Sequence, residues 1–189
     1  MHELEPHWGW RQFYTAENDE YSPFYGKEYS EFEFSDHIYD HYIHPQWDYI
    51  GSETLFVKLI YADYDEHFAV LEMLGEWNDC LHNDIMHFKR NVVDRLLKFG
   101  IERYIIIGEN VLNFHASDDS YYEEWFDDLE ETGWLAFVNF APHVMREFSD
   151  FDIDQYFISG GDLQFDHWRT LEPPVFYHKI HGLVQKRLI

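Results

Sequence analysis

The middle of the chain alternates between short apolar runs and segments with a helical period. Two β-prone apolar runs, at residues 54–61 and 67–74, are separated by a short polar segment, which is typical of a hairpin. The largely apolar runs at 103–107 and 134–139 are short, as in strands that are covered on both faces. A weaker run at 154–158 predicts one more strand.

The clearest helical period follows the second apolar run, over about residues 79–99. One apolar stripe runs along it, formed by Leu81, Ile85, Phe88, Val92 and Leu96. Asn78 or Asp79 is the expected cap, because its side-chain oxygen can accept a hydrogen bond from a free backbone N–H. Gly100 is the expected end, where a left-handed residue stops the helix.

Two further helices complete the pattern. One is predicted over 119–131, with Ser117 or Asp118 as its cap and acidic residues in its first turn. The other is short, over 142–148, and has a proline at its first position, where proline is tolerated. The order β-β-α-β-α-β-α-β predicts a single α/β domain with a mixed, mostly parallel sheet and right-handed crossovers.

The two ends of the chain follow a different pattern. Residues 1–52 are rich in aromatic side chains without a clean period, so we expect them to pack as an extension on the α/β domain at 53–160. Within this extension, the alternation at 29–34 predicts an edge strand. Residues 161–189 form a tail whose pattern is compatible with a terminal helix.

The chain is strongly acidic, with 37 Asp and Glu against 13 Lys and Arg and a net charge of −24 at pH 7. Nucleic acid and anionic membranes would be repelled, so we expect neither as a partner. The single cysteine, Cys80, excludes a disulfide framework and a cysteine-based zinc site. No secretory signal and no apolar run of about 20 residues is visible, which predicts a soluble cytoplasmic protein.

Polar residues follow the predicted parallel strands, where ligands gather in open α/β sheets. The loops at 75–79, 108–119 and 139–143 are expected to meet there. Their carboxylates and imidazoles could ligate a divalent metal or act as general acid and base, with the candidates Asp79, Glu109, His115, Asp118 and His143. The alternative is that these side chains cap helices and close turns.

A histidine cluster lies in the aromatic extension. His37, His41 and His44 have the spacing of one helical face and would form a workable set of metal ligands. The alternative is a partly buried polar face, because a chain with 13 histidines produces such clusters by chance.

The acidic residues are concentrated between residues 108 and 134, a segment without Lys or Arg. Such a run is typical of a solvated helix face that keeps a protein soluble. It is also typical of a docking surface for a basic partner. The candidate partner-binding residues are Asp118, Asp119, Glu123, Glu124 and Asp127.

Three stretches resemble the STAS domain, the fold of bacterial anti-sigma-factor antagonists. They are Phe68-Ala-Val-Leu-Glu-Met-Leu-Gly-Glu76, Tyr104-Ile-Ile-Ile107 continuing through Val111-Leu-Asn-Phe114, and Leu135-Ala-Phe-Val-Asn-Phe-Ala-Pro-His-Val-Met145. The resemblance covers about residues 55–157 and includes the order of the elements. In that family, a partner kinase phosphorylates a serine at the start of the second helix. The matching residue here is Ser117, with Ser120 as the other candidate and Ala116 where the family has an aspartate.

The resemblance implies a non-enzymatic, regulatory protein-interaction module without a cofactor. Its partner would be a kinase or another regulatory protein with a basic surface, and phosphorylation would switch the contact. The competing prediction is a metal-binding protein or a metal-dependent enzyme that uses the five candidate ligands at the strand ends. A third possibility is a small-ligand pocket lined by the aromatic residues of the extension.

Overall fold

The computed structural model describes residues 3–129 and 131–188, and its strands form two sheets. The smaller sheet is a hairpin of β1 (His37–Ile38) and β2 (His41–Tyr42). The larger sheet has six strands: β3 (Asp48–Tyr49), β4 (Leu55–Asp63), β5 (Phe68–Asn78), β6 (Arg103–His115), β7 (Trp134–Val138) and β8 (Ile158–Ser159).

The order of strands in the six-stranded sheet follows their order in the chain. The pairs β3–β4 and β4–β5 are antiparallel, whereas the pairs β5–β6, β6–β7 and β7–β8 are parallel. In the parallel part, Ala136 of β7 pairs with Ile105 on one side and with Ile158 on the other. This arrangement confirms the predicted α/β class and the mixed, mostly parallel sheet.

Two strands extend much further than their apolar runs. β5 continues to Asn78 and β6 to His115, and these two residues are register partners at the end of the pair. The predicted loops at 75–79 and 108–119 are therefore wrong over most of their length. The extensions are rich in Glu and Asn, and two register shifts interrupt their alternation, so their sequence lacks the period of a strand.

The predicted helix over 79–99 is divided into short segments. They are α1 (Asp79–His82), α2 (Asp84–Phe88), a π-helical turn (Lys89–Val93) and α3 (Asp94–Lys98). The expected cap is confirmed, because Asn78 Oδ1 accepts a hydrogen bond from Leu81 N at 2.9 Å. The expected end is confirmed as well, since Gly100 has a φ of 88°.

The break between α1 and α2 lies at Asn83, which adopts the left-handed conformation with φ 52° and ψ 50°. Asparagine tolerates this conformation better than most residues. The break turns the first helical turn away from the core, so Leu81 is 76% exposed. The prediction that Leu81 belongs to the buried stripe is therefore wrong, whereas Ile85, Phe88, Val92 and Leu96 are buried.

Three more helices follow: α4 (Ser120–Asp127), α5 (Pro142–Asp150) and α6 (Pro173–Leu188). The N-cap position of α4 is Asp119, so the predicted caps Ser117 and Asp118 are wrong by one or two residues. None of the helices in residues 3–129 and 131–188 combines the length and apolar character that crossing a bilayer requires.

Two predicted strands are corrected by the structure. Residues 154–158 lie mostly in a 3₁₀ helix (Ile153–Tyr156), and only the two residues of β8 pair with the sheet. Residues 29–34 form no strand. The reason is that Tyr29 points into the structure, where its hydroxyl donates to Asp48 Oδ1 at 2.6 Å, while Phe32 is 90% exposed.

The two faces of the large sheet are covered by different parts of the chain. One face packs against the helical segments, with Trp77, Phe88 and Trp125 among its buried residues. The other face is covered by residues from both ends of the chain, including Trp10, Trp168 and Phe176. Indole Nε1 of Trp10 donates to the carbonyl of Leu171 at 2.8 Å, which joins the two terminal segments.

A third, smaller apolar cluster joins the β1–β2 hairpin to the sheet. Ile38, Ile43 and Trp47 pack there against Phe56 of β4 and Leu74 of β5. The hairpin is thereby held beside the carboxyl end of β5, where the predicted functional residues begin.

Candidate functional site

Asp79 is the first of the predicted metal ligands, and it lies buried at the end of β5. Its Oδ1 accepts hydrogen bonds from Trp77 Nε1 at 3.0 Å and from Ile85 N at 2.8 Å. Its Oδ2 accepts from the hydroxyl of Tyr122 at 2.6 Å. The carboxylate therefore joins β5, α2 and α4 to one another, and its oxygens are occupied inside the protein.

Burial raises the pKa of Asp79 to about 7, against the hydrogen bonds from Tyr122 and Ile85, which favour the charged form. The neighbouring Asp84 is also buried, and burial raises its pKa too. Asp84 Oδ2 accepts from Asn78 N at 2.7 Å. The two buried carboxylates thus hold the backbone of α1 and the start of α2 in place through hydrogen bonds.

Of the other four predicted metal ligands, Glu109 and His143 have partners of their own, and His115 and Asp118 are exposed. Glu109 on β6 forms an ion pair with Arg169 and accepts from Trp168 Nε1 at 3.3 Å. His143 Nε2 contacts the carbonyl of Leu112 at 2.7 Å. His115 is exposed at the end of β6, and Asp118 is exposed in the turn before α4.

The structure does not bring these five residues together. Within residues 3–129 and 131–188, the three-residue group whose ligand atoms lie within 4.8 Å of one another is a different one: Asp94, Glu124 and Asp128. The ammonium of Lys89 lies among them, 2.7 Å from Asp128 Oδ2 and 3.5 Å from Glu124 Oε1, and in close contact with Asp94. A cation of the protein thus takes the position that a metal ion would need.

Arg90 adds a second cation to this group. Its Nη2 donates to Glu124 Oε2 at 2.7 Å, and its Nη1 lies 3.1 Å from Asp94 Oδ2. The hydrogen bond from Arg90 holds the pKa of Glu124 below its usual value. The cluster therefore acts as a salt-bridge network that joins the π-helical turn and α3 to α4.

The histidine cluster does not form a helical face. His37 lies on β1 and His41 on β2, and the two strands pair antiparallel as a hairpin. His44 follows the hairpin, and its Nδ1 accepts from Gln46 N at 3.2 Å. The predicted helical spacing of these ligands is wrong, because the positive φ of Tyr39 (51°) turns the chain back between His37 and His41.

The predicted partner-binding acids lie on and before α4, in two stripes. Glu124, together with Asp128 beyond the end of the helix, faces Lys89 and Arg90. Glu123 and Asp127 are exposed, and neither forms an ion pair with any Lys or Arg that the structure describes. Tyr122 and Trp125 are buried beneath them. The helix thus has one neutralised acidic stripe and one open acidic stripe.

The two candidate serines lie at the amino end of α4. Ser120 is its first residue, and its backbone N donates to Asp118 Oδ1 at 3.2 Å, while its hydroxyl donates to the same oxygen. These hydrogen bonds lower the pKa of Asp118. Ser117 is exposed in the preceding turn. Both hydroxyls are therefore accessible at a helix amino end.

Asp119, the remaining candidate of the set, is tied to the segment after α5. Its Oδ2 accepts from the hydroxyl of Tyr156 at 2.6 Å, and this hydrogen bond raises the pKa of Tyr156 to about 12. Asp119 thereby fixes the start of α4 and contributes less open charge than its neighbours Glu123 and Asp127.

A buried acidic site was missed by the sequence reasoning. Glu72 lies in the middle of β5 and is 1% exposed; its Oε2 accepts from His7 N at 2.6 Å, and its Oε1 lies 3.1 Å from Arg169. Burial raises the pKa of Glu72 to about 7. Burial and the nearby Arg169 lower the pKa of His7 to about 4. The sequence did contain an indication of this site, because Glu72 is a charged residue within the apolar run at 67–74.

Comparisons with known proteins add no family to this geometry. The sequence matches no protein-family model, and a search of curated proteins finds no match.

Proposed function

We propose that this chain is a non-enzymatic, STAS-like protein-interaction module that binds a basic protein partner through the open acidic stripe of α4. The stripe consists of Glu123 and Asp127, together with Asp118 in the turn before the helix. Phosphorylation of Ser117 or Ser120 switches the contact. The mixed sheet with α2, α4 and α5 packed on one face supports the STAS-like part of this proposal, while α6 packs on the other face.

The observation that carries the proposal is the contrast between the two stripes of α4. Glu124 has cations within hydrogen-bond distance, but Glu123 and Asp127 have none in the described chain. Like charges four residues apart on a helix repel each other and destabilise it slightly. Surface charges of one sign also steer and orient a partner of the opposite sign. A partner that supplies lysines or arginines to this stripe would relieve the repulsion.

The position of the serines gives the switch a physical basis. A phosphate on Ser120 would lie at the amino end of α4, where the helix dipole favours negative charge. It would also add about two negative charges next to Asp118 and Glu123. The result is a change in the shape and charge of the surface that the partner contacts, without a change in the buried residues Tyr122 and Trp125.

The test is a comparison of three full-length proteins in the native host. They are the wild type, an α4 variant (Glu123→Gln/Asp127→Asn), and a control variant (Glu28→Gln/Glu31→Gln) that loses the same charge from exposed residues elsewhere. After crosslinking, bound proteins are quantified by mass spectrometry. We expect a basic protein that the wild type and the control retain and the α4 variant loses. Equal retention of the partner by all three proteins would refute the proposal that it binds to the open acidic stripe of α4.

The switch is tested separately. The protein is incubated with ATP and extract of the native host, and phosphate is mapped by mass spectrometry. We expect modification at Ser117 or Ser120, and release of the partner that the first experiment identifies. If neither serine is modified, the switch is wrong, while the interaction with the stripe stands on its own test.

A further inference from the structure

A groove lies between the β1–β2 hairpin, α1 and the start of β4. Its volume is about 580 Å³, within the usual range of ligand sites. Its lining includes Asp36, Tyr39, Tyr49, Glu53 and Leu81. We refer to it as the hairpin groove.

The apolar side chains of the hairpin groove are unusually exposed. Leu81 is 76%, Tyr39 66% and Tyr49 53% exposed. Leu81 belongs by sequence to an apolar helical stripe, and the left-handed Asn83 turns it outward to the groove. An exposed apolar cluster with a polar border is typical of a surface that binds another molecule.

The hairpin that forms one wall is fixed in place. The hydroxyl of Tyr39 donates to Glu76 Oε2 at 2.6 Å, and Asn113 Nδ2 donates to Glu76 Oε1 at 3.3 Å. Below the hairpin, Ile38 is buried against Phe56 and Leu74. The groove is therefore preformed, which reduces the entropy that a ligand must lose on binding.

The charge of the residues that line the groove favours a cationic ligand. Asp36 and Glu53 are acidic, and no Lys or Arg is among the residues that line the groove in the described chain. The ring faces of Tyr39 and Tyr49 attract cations, above all the planar guanidinium of arginine. Leu81 offers the contact for an apolar side chain. The lining thus combines sites for cationic and for apolar side chains within one groove.

We infer that the hairpin groove binds a short basic segment of another protein, in which arginine or lysine alternates with apolar side chains. The cationic side chains would pack on Tyr39 and Tyr49 and pair with Asp36 and Glu53, and an apolar side chain would cover Leu81. This site goes beyond the acidic stripe of α4 and does not depend on it.

The test uses a fluorescein-labelled, 12-residue peptide of alternating arginine and leucine, and measures fluorescence anisotropy at 0.15 M salt. At this salt concentration, the field of distant surface charges is screened beyond about 8 Å. A second peptide of alternating arginine and glycine has the same charge without the apolar side chains. We expect the arginine–leucine peptide to bind the wild type and the arginine–glycine peptide to bind about tenfold more weakly.

Three variants locate the peptide. The groove variant Asp36→Asn/Leu81→Ser is expected to bind the arginine–leucine peptide about tenfold more weakly than the wild type. The control Glu28→Gln/Glu31→Gln and the α4 variant Glu123→Gln/Asp127→Asn are expected to bind like the wild type. Circular dichroism and the melting temperature of each variant establish that it is folded.

Each of the alternative outcomes would refute the proposal that the hairpin groove binds a basic segment. Equal weakening in all three variants would show attraction to the net negative charge alone. Loss in the α4 variant, with full binding by the groove variant, would assign the peptide to the acidic stripe and leave the proposed function intact. A wild-type dimer in sedimentation velocity that the groove variant abolishes would show that a second copy of this chain occupies the site.

Discussion

Glu72 makes a testable contribution to the pH dependence of stability. Its carboxyl group is buried in the sheet, and burial raises the pKa from 4.5 to about 7 in the folded protein. Between these values the folded protein binds a proton that the unfolded chain releases. Stability is therefore expected to fall as the pH rises from about 4.5 to 7, because the native state then holds a buried negative charge.

The size of the effect follows from the pKa values. At about 1.4 kcal/mol per unit of pKa, a rise from 4.5 to about 7 corresponds to about 3 kcal/mol. The variant Glu72→Gln resembles the protonated form, and its amide oxygen can still accept the hydrogen bond from His7 N. We expect the variant to equal the wild type near pH 4.5 and to be more stable by about 2–3 kcal/mol at pH 8.

The measurement is urea unfolding of both proteins at intervals from pH 4.5 to 8. Other groups titrate in this range, above all Asp79, but they are common to both proteins and cancel in the difference. Glu28→Gln, at an exposed position, is the matched control and should show no pH-dependent difference. A Glu72→Gln variant that is less stable than the wild type at pH 8 would refute the reasoning, since Arg169 would then stabilise the charge fully.

Four further predictions concern a hydrogen bond, a salt-bridge network and two glycines. Tyr122→Phe removes the hydroxyl that donates to Asp79 and should lower the free energy of unfolding by about 1–2 kcal/mol, whereas Tyr121→Phe should not. Lys89→Met leaves three carboxylates without their shared cation, so we expect the variant to have a lower melting temperature than the wild type. Millimolar Ca²⁺ should restore the melting temperature of the variant and leave that of the wild type unchanged. A variant that Ca²⁺ does not restore would contradict the network. Gly75→Ala would place a Cβ 2.1 Å from the carbonyl oxygen of Thr54 at a φ of 114°, so we expect a severe loss of stability. Gly182→Ala, in an open helical position, should stabilise by up to about 1 kcal/mol, and chemical unfolding checks both changes.

The strands and helices could be predicted where the side chains repeat with a period. The apolar runs at 103–107 and 134–138 became adjacent parallel strands, and Pro142 begins α5 as expected. The extension of β6 to His115 could not be predicted in this way. Its residues pair with β5 through backbone hydrogen bonds. Because these residues are largely polar and the register shifts twice, their side chains do not alternate with the period of a strand.

The break at Asn83 had a weak signal in the sequence. Asn-Asp at 83–84 is a turn dipeptide, but the helical spacing of Leu81 and Ile85 across it was the stronger pattern. Local side-chain contacts decide the outcome, because Asp79 and Asp84 accept backbone hydrogen bonds from Ile85 and Asn78, on the far side of the break. These contacts favour two short helical turns over one continuous helix.

The candidate surface on α4 was predictable only in part. The absence of Lys and Arg between residues 108 and 134 predicted an acidic face. The sequence could not indicate which acids are neutralised, because the cations Lys89 and Arg90 lie more than 30 residues from Glu124 in the chain. The open and the neutralised stripe therefore become distinguishable only in three dimensions.

The partners of the basic residues explain why so much negative charge stays open. The chain has 13 Lys and Arg, and most of those described contact a carboxylate or a backbone carbonyl of the same chain: Arg11, Lys27, Lys58, Lys89, Arg90, Arg95, Arg103, Arg169 and Arg187. These cations stabilise the fold and are not free to neutralise the surface. Glu123, Asp127, Asp36 and Glu53 form no ion pair with any Lys or Arg that the structure describes. The proposed basic partner would supply cations to these positions, and neutral variants there should weaken its binding without destabilising the fold.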